Sequence, residues 1–178
     1  MVFALTVIGT PLSMIDISNT PACYTLWGYK PDCGQTGYSL RGRDAFQCGH
    51  RRSVMYAGAA FAIISIFNTL MAFILCAFMA LRVIVPKYLA LFFAMWAVIT
   101  LCIAWACPAA VFHRRMCNNG PYKSTGRFGA GFALLVTAFG LQILLLPLIC
   151  LTRNHPRPCT PCTPRTPCTP CGTRVVQC

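Results

Sequence analysis

Three long apolar stretches dominate the chain, and the central part of each contains no charged residue. Each is longer than the ~20 apolar residues that a helix needs to cross ~30 Å of hydrocarbon. A charge at the bilayer centre costs about 2.5–3.5 kcal/mol on insertion scales, so three uncharged windows indicate adaptation to lipid. The pattern predicts three transmembrane helices, over residues 54–85, 88–112 and 128–151.

The apolar run at residues 1–9 is much shorter than the other three. As a helix it would extend about 14 Å, which is less than half of a bilayer crossing. No Lys or Arg precedes it, so it lacks the basic segment that opens a secretory signal peptide. We interpret it as the remnant of a first transmembrane helix. Two explanations remain open: a chain that lacks its first residues, or a degenerate span.

Polar, turn-rich segments separate the predicted helices. Residues 10–53 form a first loop that is long enough to hold a small strand structure. Residues 113–127 form a second loop, in which an Asn-Asn-Gly-Pro sequence predicts a tight turn. Residues 152–178 form a low-complexity tail on a Cys-Thr-Pro repeat, whose regular prolines favour polyproline II. The order of spans places both loops on one side of the membrane.

The composition agrees with a membrane protein and limits its partners. Hydrophobic residues make up 57% of the chain and charged residues only 10%, which excludes a water-soluble globule. The net charge is +12, and the three acids (Asp16, Asp32 and Asp44) all lie in the first loop. A basic excess is typical of nucleic-acid binding, but here the cations are scattered over loops on both sides of the membrane. We therefore expect contact with lipid headgroups and no nucleic-acid partner.

The segment from Cys23 to Cys33 carries the strongest local signal. Two cysteines bracket a β-prone run and then a turn-prone run, so the segment is able to fold back and be closed by a disulfide. For a loop of about 11 residues the chain-entropy model gives roughly 2.8 kcal/mol of stabilisation. The alternative is a pair of ordinary loop cysteines.

The order of residues in this segment resembles the signature of amastins, which are small four-span surface proteins of parasitic protozoa. Four further segments are similar to the family's spans, in the same order along the chain: 7–11, 62–67, 100–105 and 129–136. The resemblance covers residues 1 to about 151 and excludes the tail. The positions singled out by the signature are Cys23, Leu26, Trp27, Gly28, Lys30, Asp32 and Cys33.

The resemblance implies an all-α membrane protein with a four-helix, remotely claudin-like transmembrane bundle and a small disulfide-braced, β-containing outer loop. It also implies a multi-pass protein at the plasma membrane, with cytosolic termini and both loops outside. The distribution of Lys and Arg disagrees, because nine would lie outside and six inside, against the positive-inside rule. We retain the family orientation because paired loop cysteines require an oxidising compartment.

The cysteines fall into groups by location. Cys23 with Cys33 is the natural short pair, which leaves Cys48 and Cys117 to join the two loops. Four cysteines allow three pairings, so this assignment is a preference. The cysteines suited to reversible acylation near the membrane are Cys150, Cys159 and Cys162. For the tail, metal binding through its Cys-x-x-Cys pairs and unselected low complexity remain as alternatives.

Small residues predict where the helices pack, because close backbone approach drives helix association in lipid. Four such residues fall on one narrow face of the last predicted helix: Gly129, Ala133, Thr137 and Gly140. Gly58 and Ala62 form a shorter notch on the first long helix. Asn68 and Gln142 need partners in an apolar environment, which indicates either hydrogen bonds between helices or a substrate path.

The sequence lacks the constellations that catalysis requires. The three aspartates are confined to one loop, and the three histidines (His50, His113 and His155) have no metal-ligand spacing. We therefore expect neither an enzyme nor a bound cofactor, and no small-molecule substrate is indicated.

Two functional hypotheses remain. In the first, the helices present the disulfide-braced outer loop for host or membrane interaction, adhesion or lateral assembly, with further copies or with other surface proteins. Leu26, Trp27 and Tyr29 would then be apolar contacts for a partner, or alternatively the loop's own core. In the second, the bundle forms a claudin-like permeability pathway or an ion-conducting protein. Ion flux through liposomes would discriminate between them.

Overall fold

The computed structural model describes residues 1–35, 37–41, 44–46, 48–81, 86–116, 122 and 126–151. Four helices lie within these residues: α1 (Val2–Gly9), α2 (Gly49–Ala80), α3 (Lys87–His113) and α4 (Ala130–Leu151). The last three are each long and apolar enough to cross a membrane. The predicted tail, residues 152–178, lies outside the described residues.

Of the long helices, α2 differs most from its predicted bounds of 54–85: it ends at Ala80, and residues 82–85 lie outside the described residues. This helix begins at Gly49, ahead of the expected residue 54, so its first turn carries Arg51 and Arg52. α3 continues past Pro108 to His113. Pro108 is buried, and neighbouring helices are able to support a proline inside a membrane helix.

The two loops form one antiparallel sheet, which we call the two-loop sheet. Its strands follow the order β4-β3-β2-β1-β5, and every neighbouring pair is antiparallel. The first loop supplies four strands and the second loop supplies β5, which pairs with β1. Strand structure was predicted for the first loop only. The bounds are β1 (Ile15–Ile17), β2 (Cys23–Tyr24), β3 (Gly28–Lys30), β4 (Leu40–Arg41) and β5 (Gly126–Phe128).

In the bundle, α2 packs most extensively against α3, whereas α1 packs mainly against α4. The α1–α4 contact depends on glycine, because a Cβ on Gly131 would lie 2.7 Å from the carbonyl oxygen of Gly9. The Gly131 N–H also donates to the Ser13 carbonyl oxygen at 2.8 Å. Ser13, in the segment after α1, therefore accepts a hydrogen bond from one of the N–H groups in the first turn of α4, which have no partner within that helix.

Of the four residues predicted to form the packing face of α4, only Gly129 is buried in the structure. Ala133 and Thr137 are exposed, and a Cβ on Gly140 would meet nothing within 4 Å. Gly129 precedes α4, and a Cβ there would lie 2.5 Å from the Ser13 carbonyl oxygen. The inward face also has helical spacing but begins two residues later, and its members are Gly131, Leu135, Ala138 and Gln142.

Two hydrogen bonds are consistent with the rotation of α4 about its axis, that is, with the face that it turns toward the bundle. Gln142 Nε2 donates to the Ala94 carbonyl oxygen of α3 at 3.5 Å, which turns this amide away from lipid. Thr137 Oγ1 donates to the Ala133 carbonyl oxygen of its own helix at 2.8 Å. The Thr137 hydroxyl is therefore satisfied locally and is able to face hydrocarbon. Of the two alternatives for Gln142, the bond between helices is the one that the structure contains.

The notch on α2 lies against α3. A Cβ on Gly58 would be 3.1 Å from the Cys107 Cβ and 3.6 Å from the Ala104 carbonyl oxygen. Ala62 follows one turn later and is fully buried. The absence of a side chain at Gly58 lets α2 and α3 approach closely near the two-loop sheet.

Candidate functional site

A disulfide joins Cys23 to Cys33, with the two Cα atoms 5.8 Å apart. The predicted short pair is thereby confirmed over the alternative of two ordinary loop cysteines. The Cys33 N–H also donates to the Pro21 carbonyl oxygen at 3.0 Å, which aligns the chain after β3 with the start of β2. Cys48 is disulfide-bonded as well, whereas Cys117, its expected partner, lies outside the described residues.

The cysteines considered for acylation are only partly covered by the structure. Cys150 is half-buried near the end of α4. Cys159 and Cys162 lie outside the described residues, so their acylation stays a prediction.

Thr25 closes the turn between β2 and β3, a role that sequence reasoning missed. Its Oγ1 donates to the Gly28 carbonyl oxygen at 3.2 Å and accepts from the Trp27 N–H at the same distance. The Thr25 N–H donates to the Gly28 carbonyl oxygen at 2.9 Å. A side-chain hydroxyl that forms hydrogen bonds to the backbone of its own turn stabilises the reversal of the chain. The Thr two residues before Trp27 was therefore the feature of the sequence that could have predicted this turn.

Gly28 is required by the close approach of β4. A Cβ on Gly28 would lie 2.5 Å from the Leu40 carbonyl oxygen, which is backbone and has little freedom to move aside. Asp32 likewise has a local structural role, because its Oδ1 accepts from the Gly34 N–H at 2.9 Å. Both signature positions therefore shape the backbone, whatever else they contact.

Leu26 is a core residue of the membrane-facing side of the sheet. It is fully buried, and its Cδ2 lies 3.4 Å from where a Cβ on Gly58 would be. Of the two roles considered for Leu26, partner contact or core, the second is the one that the structure supports. Trp27 and Tyr29 are half-buried and pack against the same core.

An aromatic cluster joins the two loops above α2. Tyr24 is its centre, with ring centroids 5.2 Å from Tyr29, 6.0 Å from Phe46 and 4.9 Å from Tyr122 of the second loop. The guanidinium of Arg51, in the first turn of α2, lies 4.4 Å from the centre of the Tyr122 ring, which is a cation–π contact. Burial, and next the neighbouring Tyr122 hydroxyl, raise the pKa of Tyr24 above its ordinary value.

Among the described strands, β4 forms the edge of the sheet opposite β5, and this edge is cationic. Lys30 Nζ and Arg41 Cζ each lie 4.8 Å from the centre of the Tyr38 ring, so the two charges are no farther apart than twice that distance. β4 is the edge strand, and both of its residues, Leu40 and Arg41, are exposed. Among the described residues, neither Lys30 nor Arg41 forms an ion pair with a carboxylate. Their charge is therefore available to a partner. We call Lys30, Tyr38, Leu40 and Arg41 the cationic edge.

These features define a multi-pass membrane protein whose apolar helices carry a disulfide-bonded sheet made from two loops. Comparison with protein families matches residues 1–149 to the family described as Amastin surface glycoprotein. The chain belongs to the amastin family. It is accordingly a multi-pass protein of the cell-surface membrane, as the sequence predicted. No curated protein and no solved structure matches the chain.

Proposed function

We propose that this surface membrane protein uses the cationic edge of its two-loop sheet to bind an anionic partner outside the cell. The biological setting would be adhesion, contact with a host or neighbouring membrane, or lateral assembly with an acidic surface protein. The observation that carries the proposal is the arrangement of Lys30 and Arg41 around Tyr38 at β4, the edge strand among the described residues.

Packing of the inner side of the sheet against the helices supports this proposal, because it holds the cationic edge in place for a partner. Leu26 and the cluster around Tyr24 pack the sheet onto the outer ends of α2 and α3, so the cationic edge is held in a defined position. Binding by a preformed surface costs less conformational entropy than binding by a loose loop. The Cys23–Cys33 disulfide adds to this effect by joining β2 to the segment that follows β3.

The charge of the chain determines which partners fit. A second copy would present the same excess of positive charge, since the net charge is +12, and the two edges would repel each other. A partner rich in carboxylate, sulfate or phosphate groups is attracted by the same field. Exposed Leu40 adds an apolar contact beside the two cations.

The test uses the full-length chain in nanodiscs of neutral lipid, with heparin as a sulfated polyanion and dextran as its neutral counterpart. We expect binding of heparin only, weakening as salt increases, and at least a roughly tenfold loss in a Lys30→Gln/Arg41→Gln variant. Arg114→Gln/Arg115→Gln is the matched control, because both arginines are exposed at the outer end of α3. An equal loss in both variants, or no binding by the parent chain, would overturn the proposal.

The permeability alternative has less support. The buried hydroxyls of the bundle donate to carbonyl oxygens of their own helices: Thr6, Thr10, Ser65, Thr69 and Thr100. Hydroxyls engaged in this way present little polarity to a conducting path. Ion flux through liposomes that contain the chain is the deciding measurement, and a selective conductance would favour the alternative. The likeness to claudins stays a prediction, and it concerns only the arrangement of helices and first loop.

A further inference from the structure

Asp16 and Arg127 carry opposite charges side by side in the two-loop sheet, yet they do not pair with each other. They are opposite each other in the register of β1 and β5, so their side chains stand on one face of the sheet. Among the described residues, neither side chain forms an ion pair, and no group donates a hydrogen bond to the Asp16 carboxylate. Both charges are therefore available to a third group.

The surroundings of the Asp16 carboxylate explain why it lacks a donor. Its Oδ1 is buried, and a carboxylate oxygen of Asp16 lies within 4.8 Å of the sulfur atoms of Cys23 and Cys33. These two sulfurs are joined in the disulfide and carry no hydrogen to donate. A half-buried carboxylate without a donor is costly, so a ligand that supplies an N–H group to it gains free energy on binding.

A pocket beside the two residues gives a ligand access to both charges. It has a volume of about 230 Å³ and is lined by Asp16, Ile17, Ser18, Asn19 and Arg127. Arg127 is exposed whereas Asp16 is half-buried, so the negative charge is the more deeply seated of the two. The terminal torsion of an Asp side chain is broad, so the carboxylate is able to turn either oxygen toward the pocket.

The two charges together select a zwitterionic ligand. A simple cation in the pocket would be repelled by Arg127, and a simple anion would be repelled by Asp16. A group that carries an ammonium and an anionic oxygen on a short linker forms a charge-assisted hydrogen bond with each residue. The ammonium must carry hydrogen, because a trimethylammonium has no N–H to donate to the carboxylate.

The connection of β5 to α4 places the pocket close to the membrane surface. Only Phe128 and Gly129 separate Arg127 from Ala130, the first residue of α4, so the two Cα atoms are at most roughly 10 Å apart. α4 has 22 residues and is about 33 Å long, hardly more than the ~30 Å hydrocarbon core, so its first residue lies near the hydrocarbon boundary. Lipid headgroups occupy the next ~5–8 Å, and the long side chain of Arg127 is able to reach them.

We propose that this pocket binds the headgroup of a membrane lipid that carries a primary ammonium, of the phosphatidylethanolamine type. Arg127 binds the phosphate, and Asp16 accepts hydrogen bonds from the ammonium. The pocket thereby discriminates against phosphatidylcholine, which has the same phosphate but no N–H group. This inference uses other residues than the cationic edge and does not depend on the partner proposed for it.

The test measures lipid binding to the full-length chain by native mass spectrometry, with phosphatidylethanolamine and phosphatidylcholine of identical acyl chains. We expect the parent chain to bind the ethanolamine lipid about tenfold more tightly. Asp16→Asn should remove this preference by weakening binding of the ethanolamine lipid alone. Arg127→Gln should weaken binding of both lipids, because both contain the phosphate. Asp32→Asn and Arg115→Gln are the matched controls, since Asp32 does not line the pocket and Arg115 is exposed just beyond the end of α3.

Equal affinities of the parent chain for the two lipids would overturn the proposal, and that comparison requires no substitution. A preference that persists in Asp16→Asn, or losses of the same size in the control variants, would overturn it equally. Circular dichroism of each variant verifies that the sheet is retained.

Free phosphoethanolamine distinguishes the two sources of this headgroup chemistry. We expect it to displace the lipid only at a much higher concentration, because it lacks the acyl chains that hold the lipid at the membrane surface. Displacement at a concentration comparable to that of the lipid would identify a soluble zwitterion as the ligand and overturn the assignment to a membrane lipid. Heparin binding at the cationic edge is unaffected by any of these results, so the two proposals fail separately.

Discussion

Leu26, in the turn between β2 and β3, packs directly onto Gly58 of α2, with its Cδ2 3.4 Å from the position of a Gly58 Cβ. The same glycine also faces Cys107 of α3. One position without a side chain therefore permits two close contacts, sheet to helix and helix to helix. This contact places the turn between β2 and β3 directly against the bundle.

We expect Gly58→Val to destabilise the protein, because its Cβ would meet the Cys107 Cβ at 3.1 Å and the added methyls have no space. Overpacking of this kind costs about 1–3 kcal/mol. Gly140→Val is the control, since a Cβ there meets nothing within 4 Å. Thermal unfolding in detergent should show a lower midpoint for Gly58→Val alone. Similar midpoints for the two variants would contradict the packing.

Gly28→Ala should displace β4 from β3, because the new Cβ would lie 2.5 Å from the Leu40 carbonyl oxygen. The strand has only two residues, so loss of their pairing opens the whole edge. Hydrogen exchange at Leu40 and Arg41 should accelerate. Gly37→Ala provides the comparison, because its Cβ would have open space. Unchanged exchange in Gly28→Ala would mean that β4 does not depend on this approach.

Thr25→Val keeps the shape of the side chain but removes the hydroxyl that bonds to Gly28 and Trp27. Thr25 is buried, so the partners left behind are partly without water, and we expect a loss of about 1–3 kcal/mol. Thr25→Ser retains the hydroxyl and should recover most of this stability. Chemical denaturation of the three proteins, followed by Trp fluorescence, measures the difference. A Val variant as stable as the parent chain and more stable than the Ser variant would show that the methyl group, and not the hydroxyl, matters.

Ala138→Leu and Ala133→Leu distinguish the two faces of α4. Ala138 is fully buried in the bundle, whereas Ala133 is exposed. Enlarging Ala138 should lower stability by about 1–3 kcal/mol, and enlarging Ala133 should have little effect in lipid. Steric-trap or thermal assays in bicelles provide the measurement. A larger effect at Ala133 would return the packing face to the one expected from the sequence.

The membrane spans followed from the amino-acid sequence, which also favoured the short disulfide over the other pairings. The reason is that both depend on local properties. A stretch of about 20 uncharged residues is enough to require a helix in lipid. Two cysteines that flank a turn-forming segment come close together when the chain reverses direction. The signature order of Cys23 to Cys33 likewise pointed to the family before any contact was known.

Which helix faces pack together and which loops pair became clear only from the three-dimensional fold. Ala133 and Ala138 are both alanines of α4, and the sequence does not distinguish the helix faces on which they lie. The close approach of α1 to Gly131 and the hydrogen bond from Gln142 to α3 turn the face of Ala138 toward the bundle. The pairing of β5 with β1, which joins the loops and places Asp16 beside the disulfide, is a contact between distant segments. Such contacts depend on how the helices are arranged in space, and no periodicity within either segment contains that information.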